Sequence, residues 1–223
     1  ETAVELNLAT PGPHYQIGEL HRKIGDAQRA LDRYRKAIEV SKKHGRSQLR
    51  IAGRLVEEGE FGKAKPHLKL LRKVKSKLSP VEKAGVNFLT GRVKRGSFAL
   101  GKAIRSMKKG LKTEPREEWL RDINEVFLES EEYQKGLDFY GSLKRQKKVS
   151  QKRLGPYRFR LLLSLKEWEK ADKIVSSMKS KAKNKPDPYY FSGLLSLDQD
   201  EQKAALSSFK KALDKDETHW PSL

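Results

Sequence analysis

The chain has 223 residues, with 49 Lys and Arg against 29 Asp and Glu, and its net charge of +20 attracts anionic partners. It contains no cysteine, which excludes disulfides and thiolate metal sites. No apolar run approaches the ~18 residues of a membrane-spanning helix, so none is expected. Hydrophobic residues make up 36%, which is low for a single packed globule and suits a thin layer of paired helices.

The chain opens with Glu1 and carries no basic-then-apolar leader, so no signal peptide is predicted in it. A cytoplasmic protein and an exported protein whose signal was removed both fit this start. Residues 1–10 are predicted to form an N-terminal extension, because a Pro-Gly-Pro break follows. Ser79 and Asp187, each followed by proline, are predicted helix starts. Further breaks are expected between helix pairs or at helix starts, at residues 44–45, 114–115 and 155–156.

The first predicted element after the extension is a pair of helices. Gly18 in its first helix is followed by Ala30, Tyr34 and Ala37 in its second. The last three share one helical face, because positions i, i+4 and i+7 stack on one side of an α-helix. The small residues let another helix approach closely, and the bulky one fills the space beside them.

This pattern recurs at near-equal intervals along the chain. The small residue that opens the second helix falls at positions 30, 64, 103, 136, 171 and 205, so the intervals are 34, 39, 33, 35 and 34. Chance can supply one such pattern, but six with this spacing indicate internal repeats. A connection around residues 75–80 accounts for the extra residues of the longest interval. Turns inside the pairs are predicted at residues 23–26, 57–60, 95–97, 130–132, 165–167 and 198–201.

The pattern resembles the tetratricopeptide repeat (TPR), a helix–turn–helix unit with a period of 34 residues. The first and sixth copies match it best, and Pro115 stands where the family often closes a unit, although the family's first-helix Trp is missing from every copy. The resemblance implies an all-α, right-handed superhelical solenoid of antiparallel helix pairs over residues 11–219, followed by a tail at 220–223. The six repeats are expected at approximately residues 11–44, 45–78, 84–117, 117–150, 152–185 and 186–219.

In the TPR family, the first helices line a concave groove that holds an extended peptide or a partner helix. Aromatic and Arg residues often anchor such contacts. One subset of the family clamps a terminal carboxylate with Lys and Asn, but the matching positions here hold Tyr15, Glu19 and Arg50, so that clamp is not predicted. Extending the family's phase to this chain predicts these groove residues: Tyr15, Glu19, Arg22, Leu49, Phe88, Arg92, Arg95, Arg121, Glu125, Arg160, Tyr190 and Leu194.

Positive charge is concentrated in two blocks, residues 45–116 and 151–185. Basic residues of the second and third copies lie largely on the second helix, which is the outer, convex side in the family. One interpretation is a solvated outer face. The other is that the blocks bind nucleic acid or another polyanion, which predicts affinity that falls steeply with salt.

No catalytic, cofactor or metal site is predicted. Residues 96–103 nearly match the sequence pattern of a phosphate-binding loop. However, Lys102 is followed by Ala103 instead of Ser or Thr, and no strand is predicted before the loop. The five histidines lack the spacing and companions of a zinc site. The sequence therefore favours a non-enzymatic scaffold or adaptor that binds a protein partner or extended peptide, an acidic one among them, within a larger assembly. Nucleic acid or polyanion binding is the alternative.

Overall fold

The computed structural model describes residues 10–218, and helices are the regular structure of this part of the chain. Residues 1–9 of the predicted extension and the predicted tail at 220–223 lie outside it. A 3₁₀ turn occurs at Lys75–Lys77. The α-helices among the described residues are α1 (Pro11–Lys23), α2 (Ala27–Val40), α3 (Gly45–Glu57), α4 (Phe61–Lys73), α5 (Pro80–Arg95), α6 (Leu100–Leu111), α7 (Glu117–Glu129), α8 (Tyr133–Arg145), α9 (Gln151–Ser164), α10 (Trp168–Lys181), α11 (Asp187–Asp198) and α12 (Gln202–Leu213).

The helices follow one another as pairs joined by turns of three or four residues. Each of these turns falls at the position predicted from the repeat phase. The long interval between the second and third copies is taken up by the 3₁₀ turn and by α5, which has 16 residues. The predicted all-α fold of about six helix pairs is therefore confirmed.

Every turn inside a pair has the same backbone geometry. The residue five positions before the small residue of the second helix has positive φ: Gly25, Gly59, Phe98, Glu131, Lys166 and Asp200. The amide of the following residue then donates to the carbonyl five positions earlier, as in Asp26 N–H to His21 O at 2.9 Å and Ala99 N–H to Lys94 O at 3.0 Å. Glycine tolerates this conformation at little cost, whereas the four other residue types carry some strain.

Small and bulky residues interlock inside the pairs, as the pattern predicts. A Cβ atom added to Gly18 would come within 2.5 Å of the Tyr34 ring. In the same way, a Cβ on Gly193 would overlap the ring of Phe209. The first helix therefore needs glycine at this position in those pairs, because the bulky side chain of the second helix occupies the space of a methyl group.

A polar contact between consecutive pairs occurs at equivalent positions in two places. Arg72 of α4 donates from Nη2 to Thr90 Oγ1 of α5 at 3.1 Å. Lys179 of α10 donates from Nζ to Ser192 Oγ of α11 at 3.0 Å. In both cases the cation lies eight residues after the small residue that opens its own helix, Ala64 or Ala171. The hydroxyl residue lies thirteen residues before the corresponding small residue of the next pair, Ala103 or Ala205. These contacts fix one pair against the next.

The helix starts confirm one predicted cap and correct two expectations. Ser79 and Glu82 form a reciprocal capping box at the start of α5. Asp187 is the first residue of α11 and does not cap it, because the N-cap position is Pro186. The break predicted at residues 155–156 is wrong: α9 begins at Gln151 behind the capping Ser150 and continues through Pro156. Pro156 is the sixth residue of α9 and has no N–H, so the helix lacks the backbone hydrogen bond to the carbonyl of Lys152.

The chain forms two compact units, of which one ends at Val126 and the other begins at Phe127. The first unit contains a core cluster of buried residues on α3, α4 and α5 together with Leu78: Ala52, Val56, Ala64, Leu68, Leu71, Leu78, Val86 and Val93. The second unit contains another on α9, α10 and α11: Phe159, Leu162, Ala171, Ile174, Val175 and Leu195. Each layer of helix pairs thus buries its own apolar strip. None of the helices in residues 10–218 has the length and apolar character of a membrane span.

Candidate functional site

A cleft of about 730 Å³ opens in the first unit, along the first helices of successive pairs. Helices α1, α3, α5 and α7 line it, and α2 closes one end. Six predicted groove residues lie on its wall: Tyr15, Arg22, Leu49, Phe88, Arg92 and Arg121. The family's phase therefore brings half of the twelve predicted residues to one cleft.

The other six predicted residues lie elsewhere. Glu19 is hydrogen-bonded to side chains of the cleft wall, as described below, while Arg95 and Glu125 do not line the cleft. Three belong to the second unit: Arg160 is exposed, Tyr190 contacts Phe191 and Phe209, and Leu194 packs against the core.

Glu19 links the helices at the α1 end of the cleft. Its carboxylate accepts hydrogen bonds from Tyr34 Oη at 2.6 Å and from Arg50 Nε and Nη2 at 2.7 and 2.8 Å. Arg22 Nη2 adds an ion pair at 3.2 Å. Burial raises the pKa of Glu19, but the hydrogen bonds from Tyr34 and Arg50 outweigh it, and the net pKa lies below the ordinary value. The carboxylate therefore stays ionised and orients Arg50 on the cleft wall.

Arginine dominates the polar side chains of the cleft. Its lining contains seven Arg against four acids. Arg46 Nε lies 3.0 Å from Glu82 Oε1, and Arg92 Nε lies 3.2 Å from Asp122 Oδ2. Burial raises the pKa of Asp122, although the nearby Arg92 opposes this shift. Acids just outside the lining pair with four more of its arginines: Glu19 with Arg22 and Arg50, Glu58 with Arg54, and Glu114 with Arg116. The surface of the cleft is therefore rich in guanidinium groups, while neighbouring carboxylates balance much of their charge.

Two stacked aromatic rings form part of the wall. The rings of Phe88 and Trp119 lie 4.4 Å apart and nearly parallel, at 6°. The guanidinium of Arg116 lies 5.0 Å above the Trp119 ring, within the range of a cation–π contact. Phe88 was a predicted groove residue, but its side chain is only 1% exposed and leaves little surface for a partner to contact.

The remaining wall is largely apolar, and two of its glycines lie beside leucine side chains. A Cβ atom on Gly85 would lie 3.5 Å from Leu49, and one on Gly53 would lie 3.9 Å from Leu89. Val81, at 45% exposure, lies at the same wall. The cleft thus combines an apolar strip with an arginine-rich rim.

Sequence reasoning missed much of this wall, although the signal was present. The predicted residues were placed at intervals of one turn from a single starting position. Six of the missed positions lie one turn before or one residue after a predicted one: Arg46, Gly85, Glu118, Arg50, Leu89 and Asp122. Positions i−3 and i+1 share the wide polar face of the same helix. Including them would have doubled the number of lining residues found, from six to twelve.

The histidines and acids of the described residues form no group of three that could hold a metal ion. Burial lowers the pKa of His14, His44 and His67. His44 Nδ1 lies 2.9 Å from Ser47 Oγ, and His67 Nδ1 is hydrogen-bonded to Gln48 Oε1. The His67 ring thus joins α4 to α3, while His44 bonds to the first turn of the helix that follows it.

Comparisons with known proteins agree with this architecture. The tetratricopeptide repeat family model matches residues 12–44. No curated protein matches the sequence. The structure is similar to that of PilF from Pseudomonas aeruginosa, with a TM-score of 0.64 and 14% identity, covering 95% of this chain and 94% of that one.

Two further solved structures share the fold. A tetratricopeptide repeat protein from Parabacteroides merdae gives a TM-score of 0.61 at 18% identity, over 94% of this chain and 80% of that one. The Cut9–Hcn1 hetero-tetramer of the APC/C gives 0.65 at 12% identity, over 98% of this chain and 42% of the matched chain. The chain thus has the fold of tetratricopeptide repeat proteins, and its first helix pair matches the family model.

Proposed function

We propose that the chain is a non-enzymatic scaffold whose first unit binds an extended, acidic segment of a partner protein within a larger assembly. The observation that carries this proposal is the cleft itself: seven arginines and four acids surround an apolar strip. Arginine suits this task because its planar fork binds carboxylates in a bidentate manner.

The length of the segment follows from the helices that line the cleft. Four successive first helices contribute to it. Neighbouring helices pack roughly 9 Å apart, so the wall spans about 27 Å, the length of about eight extended residues. The alternation of apolar strip and arginine rim suits a segment that alternates apolar and acidic side chains, since successive side chains of an extended chain point to opposite sides.

Participation in an assembly is supported by similarity alone. One matched chain belongs to the Cut9–Hcn1 hetero-tetramer of the APC/C. A single helical-repeat surface can bind both a segment and a subunit because it is long and open.

The proposal is tested with fluorescent eight-residue peptides of alternating glutamate and leucine, and of alternating lysine and leucine. We expect the acidic peptide to bind the full chain and the basic peptide to bind at least tenfold more weakly, as measured by fluorescence anisotropy. Arg121→Glu, on the cleft wall, should weaken binding of the acidic peptide at least fivefold. Equal binding of the two peptides would contradict the proposal.

Two further variants separate a cleft contact from general charge attraction. Arg145→Glu makes the same charge change on the exposed side of α8 in the second unit, and it should leave affinity unchanged within twofold. Val81→Ser keeps the charge but removes apolar surface from the cleft, and it should weaken binding of the acidic peptide. Equal losses for Arg121→Glu and Arg145→Glu would show that the peptide does not occupy the cleft.

A further inference from the structure

A second charged surface lies outside the cleft, on helices α4, α5 and α6 of the first unit. Residues 61–113, which contain these helices, carry sixteen Lys and Arg and a single acid, Glu82. That acid is already paired with Arg46 at 3.0 Å and caps α5. The positive charge of this surface is therefore not neutralised from within the segment.

The cations are aligned on their helices. Lys102, Arg105 and Lys109 are exposed on α6 at spacings of three and four residues, which places them on one face over about 10 Å. Lys65 and Lys69 are exposed on α4, four residues apart. The buried faces of both helices hold their apolar residues, so the exposed faces are polar tracks.

Helix α5 connects the two tracks. Thr90 accepts a hydrogen bond from Arg72 of α4 at 3.1 Å, and Lys94, one turn along, donates from Nζ to Ser106 Oγ of α6 at 2.9 Å. Burial lowers the pKa of Lys94, and neighbouring cations lower it further: Arg72, Arg105, Lys102 and Lys109. Cations from three helices therefore converge around one ammonium group and create a local positive potential that favours an anion.

An aromatic ring stands at one end of this surface. Phe98, in the turn between α5 and α6, is 90% exposed and has φ +54°. Its amide donates to Arg95 O at 2.8 Å, and Ala99 N–H donates to Lys94 O at 3.0 Å, so the backbone of this turn is bonded to the last residues of α5, among them Lys94. The other turns inside the pairs share this positive φ, so the conformation belongs to the fold. What distinguishes this turn is the large exposed ring that it carries.

We propose that the α4–α6 surface binds single-stranded nucleic acid, with the cation tracks contacting phosphates and Phe98 stacking on an unpaired base. This combination of a basic track and an exposed aromatic ring is the general chemistry of single-strand binding without sequence preference. A membrane surface fits less well, because an interfacial helix buries an apolar face in the lipid and the apolar faces of α4 and α6 are buried in the protein. The residues assigned to contacts here do not line the cleft, although Arg92 and Glu82 of the same segment do: Lys65, Lys69, Arg72, Lys94, Phe98, Lys102, Arg105 and Lys109.

The first experiment measures anisotropy of a fluorescent 20-nucleotide oligo(dT) with the full chain at about 50 and 200 mM NaCl. About four phosphate contacts should reduce affinity roughly 50-fold between these salt concentrations. The triple variant Lys102→Glu/Arg105→Glu/Lys109→Glu should bind at least tenfold more weakly at the lower salt. An absence of binding at about 50 mM NaCl would overturn the proposal.

A charge-matched control addresses the net charge of the chain. Lys173→Glu/Lys181→Glu/Lys203→Glu changes three exposed lysines of the second unit, and it should reduce affinity less than threefold. Equal losses for the two triple variants would overturn the proposal, because binding would then follow overall charge. Circular dichroism melts of both variants verify that they are folded, which is expected because all six side chains are exposed.

Phe98→Ala tests the stacking contact separately. It should weaken oligo(dT) binding at least fivefold and leave binding of an abasic 20-mer of the same charge unchanged. Equal effects on both oligomers would contradict base stacking.

Sedimentation with phosphatidylserine vesicles tests for membrane binding instead. If the α6 triple variant loses vesicle binding but not oligo(dT) binding, the surface binds lipid and the proposal fails. Arg121→Glu, in the cleft, should not affect oligo(dT) binding more than the Arg145→Glu control, so the two proposed sites can fail independently.

Discussion

Gly91 lies where α5 comes closest to α6. A Cβ atom there would overlap Met107 and would lie 3.0 Å from Ala103 O and 3.1 Å from Met107 N. Backbone atoms cannot rotate away, so Gly91→Ala should lower the free energy of unfolding by about 1–3 kcal/mol. Urea denaturation followed by circular dichroism measures this change.

Gly101 provides the matched control in the same helix pair. It lies in the first turn of α6, and a Cβ atom there would meet nothing within 4 Å. Because alanine is the better helix former, Gly101→Ala should be neutral or stabilise the protein by up to about 1 kcal/mol. If both substitutions shifted the urea midpoint in the same direction, the helix contact would not explain the result.

At the scale of the elements, Glu19 joins three helices through Tyr34 and Arg50. Glu19→Gln removes the charge that these donors share and should lower the free energy of unfolding by about 1–3 kcal/mol at pH 7. The pKa of Glu19 is lower in the folded protein than its ordinary value. Its stabilisation is therefore present above the unfolded pKa and lost as the pH falls through the folded pKa. Urea unfolding at pH 7 and near pH 3 should show the difference between wild type and variant shrinking in acid.

Glu58→Gln is the control for a local ion pair. Glu58 pairs with Arg54 at 2.7 Å, one turn away, with 40% of its side chain exposed. Exposed pairs of this kind contribute about 0.3–0.5 kcal/mol, so this variant should unfold nearly as the wild type does. A loss at Glu58 equal to the loss at Glu19 would contradict the assigned role of the three-helix network.

The spacing of small residues predicted the helix pairs and their turns because close packing repeats with the period of the fold. It did not predict that Phe98 and Lys166 adopt positive φ, since glycine is the usual residue for that conformation. It missed Trp119 because this residue is not at one of the helix positions from which groove residues were predicted. Its ring lines the cleft while stacked on Phe88. Pro156 was misread because a proline near a helix start resembles a helix boundary.

At the scale of the whole molecule, the net charge of +20 opposes the folded state. Several ion pairs among the described residues, such as Arg35–Asp32 and Lys63–Glu60, join two exposed side chains, and such pairs contribute little. Salt weakens these pairs but also screens the repulsion among 49 cations, and the second effect should be larger.

The melting temperature should therefore rise by a few degrees as NaCl increases from about 20 to 200 mM, which corresponds to about 1 kcal/mol for a chain of this size. The triple variant Lys102→Glu/Arg105→Glu/Lys109→Glu removes repulsion from the α4–α6 surface, so its melting temperature should rise less over the same range. Differential scanning fluorimetry without added nucleic acid measures both. A melting temperature that falls with salt in the wild type would show that the ion pairs outweigh the repulsion, and an equal rise in the variant would show that the repulsion is not concentrated on α4–α6.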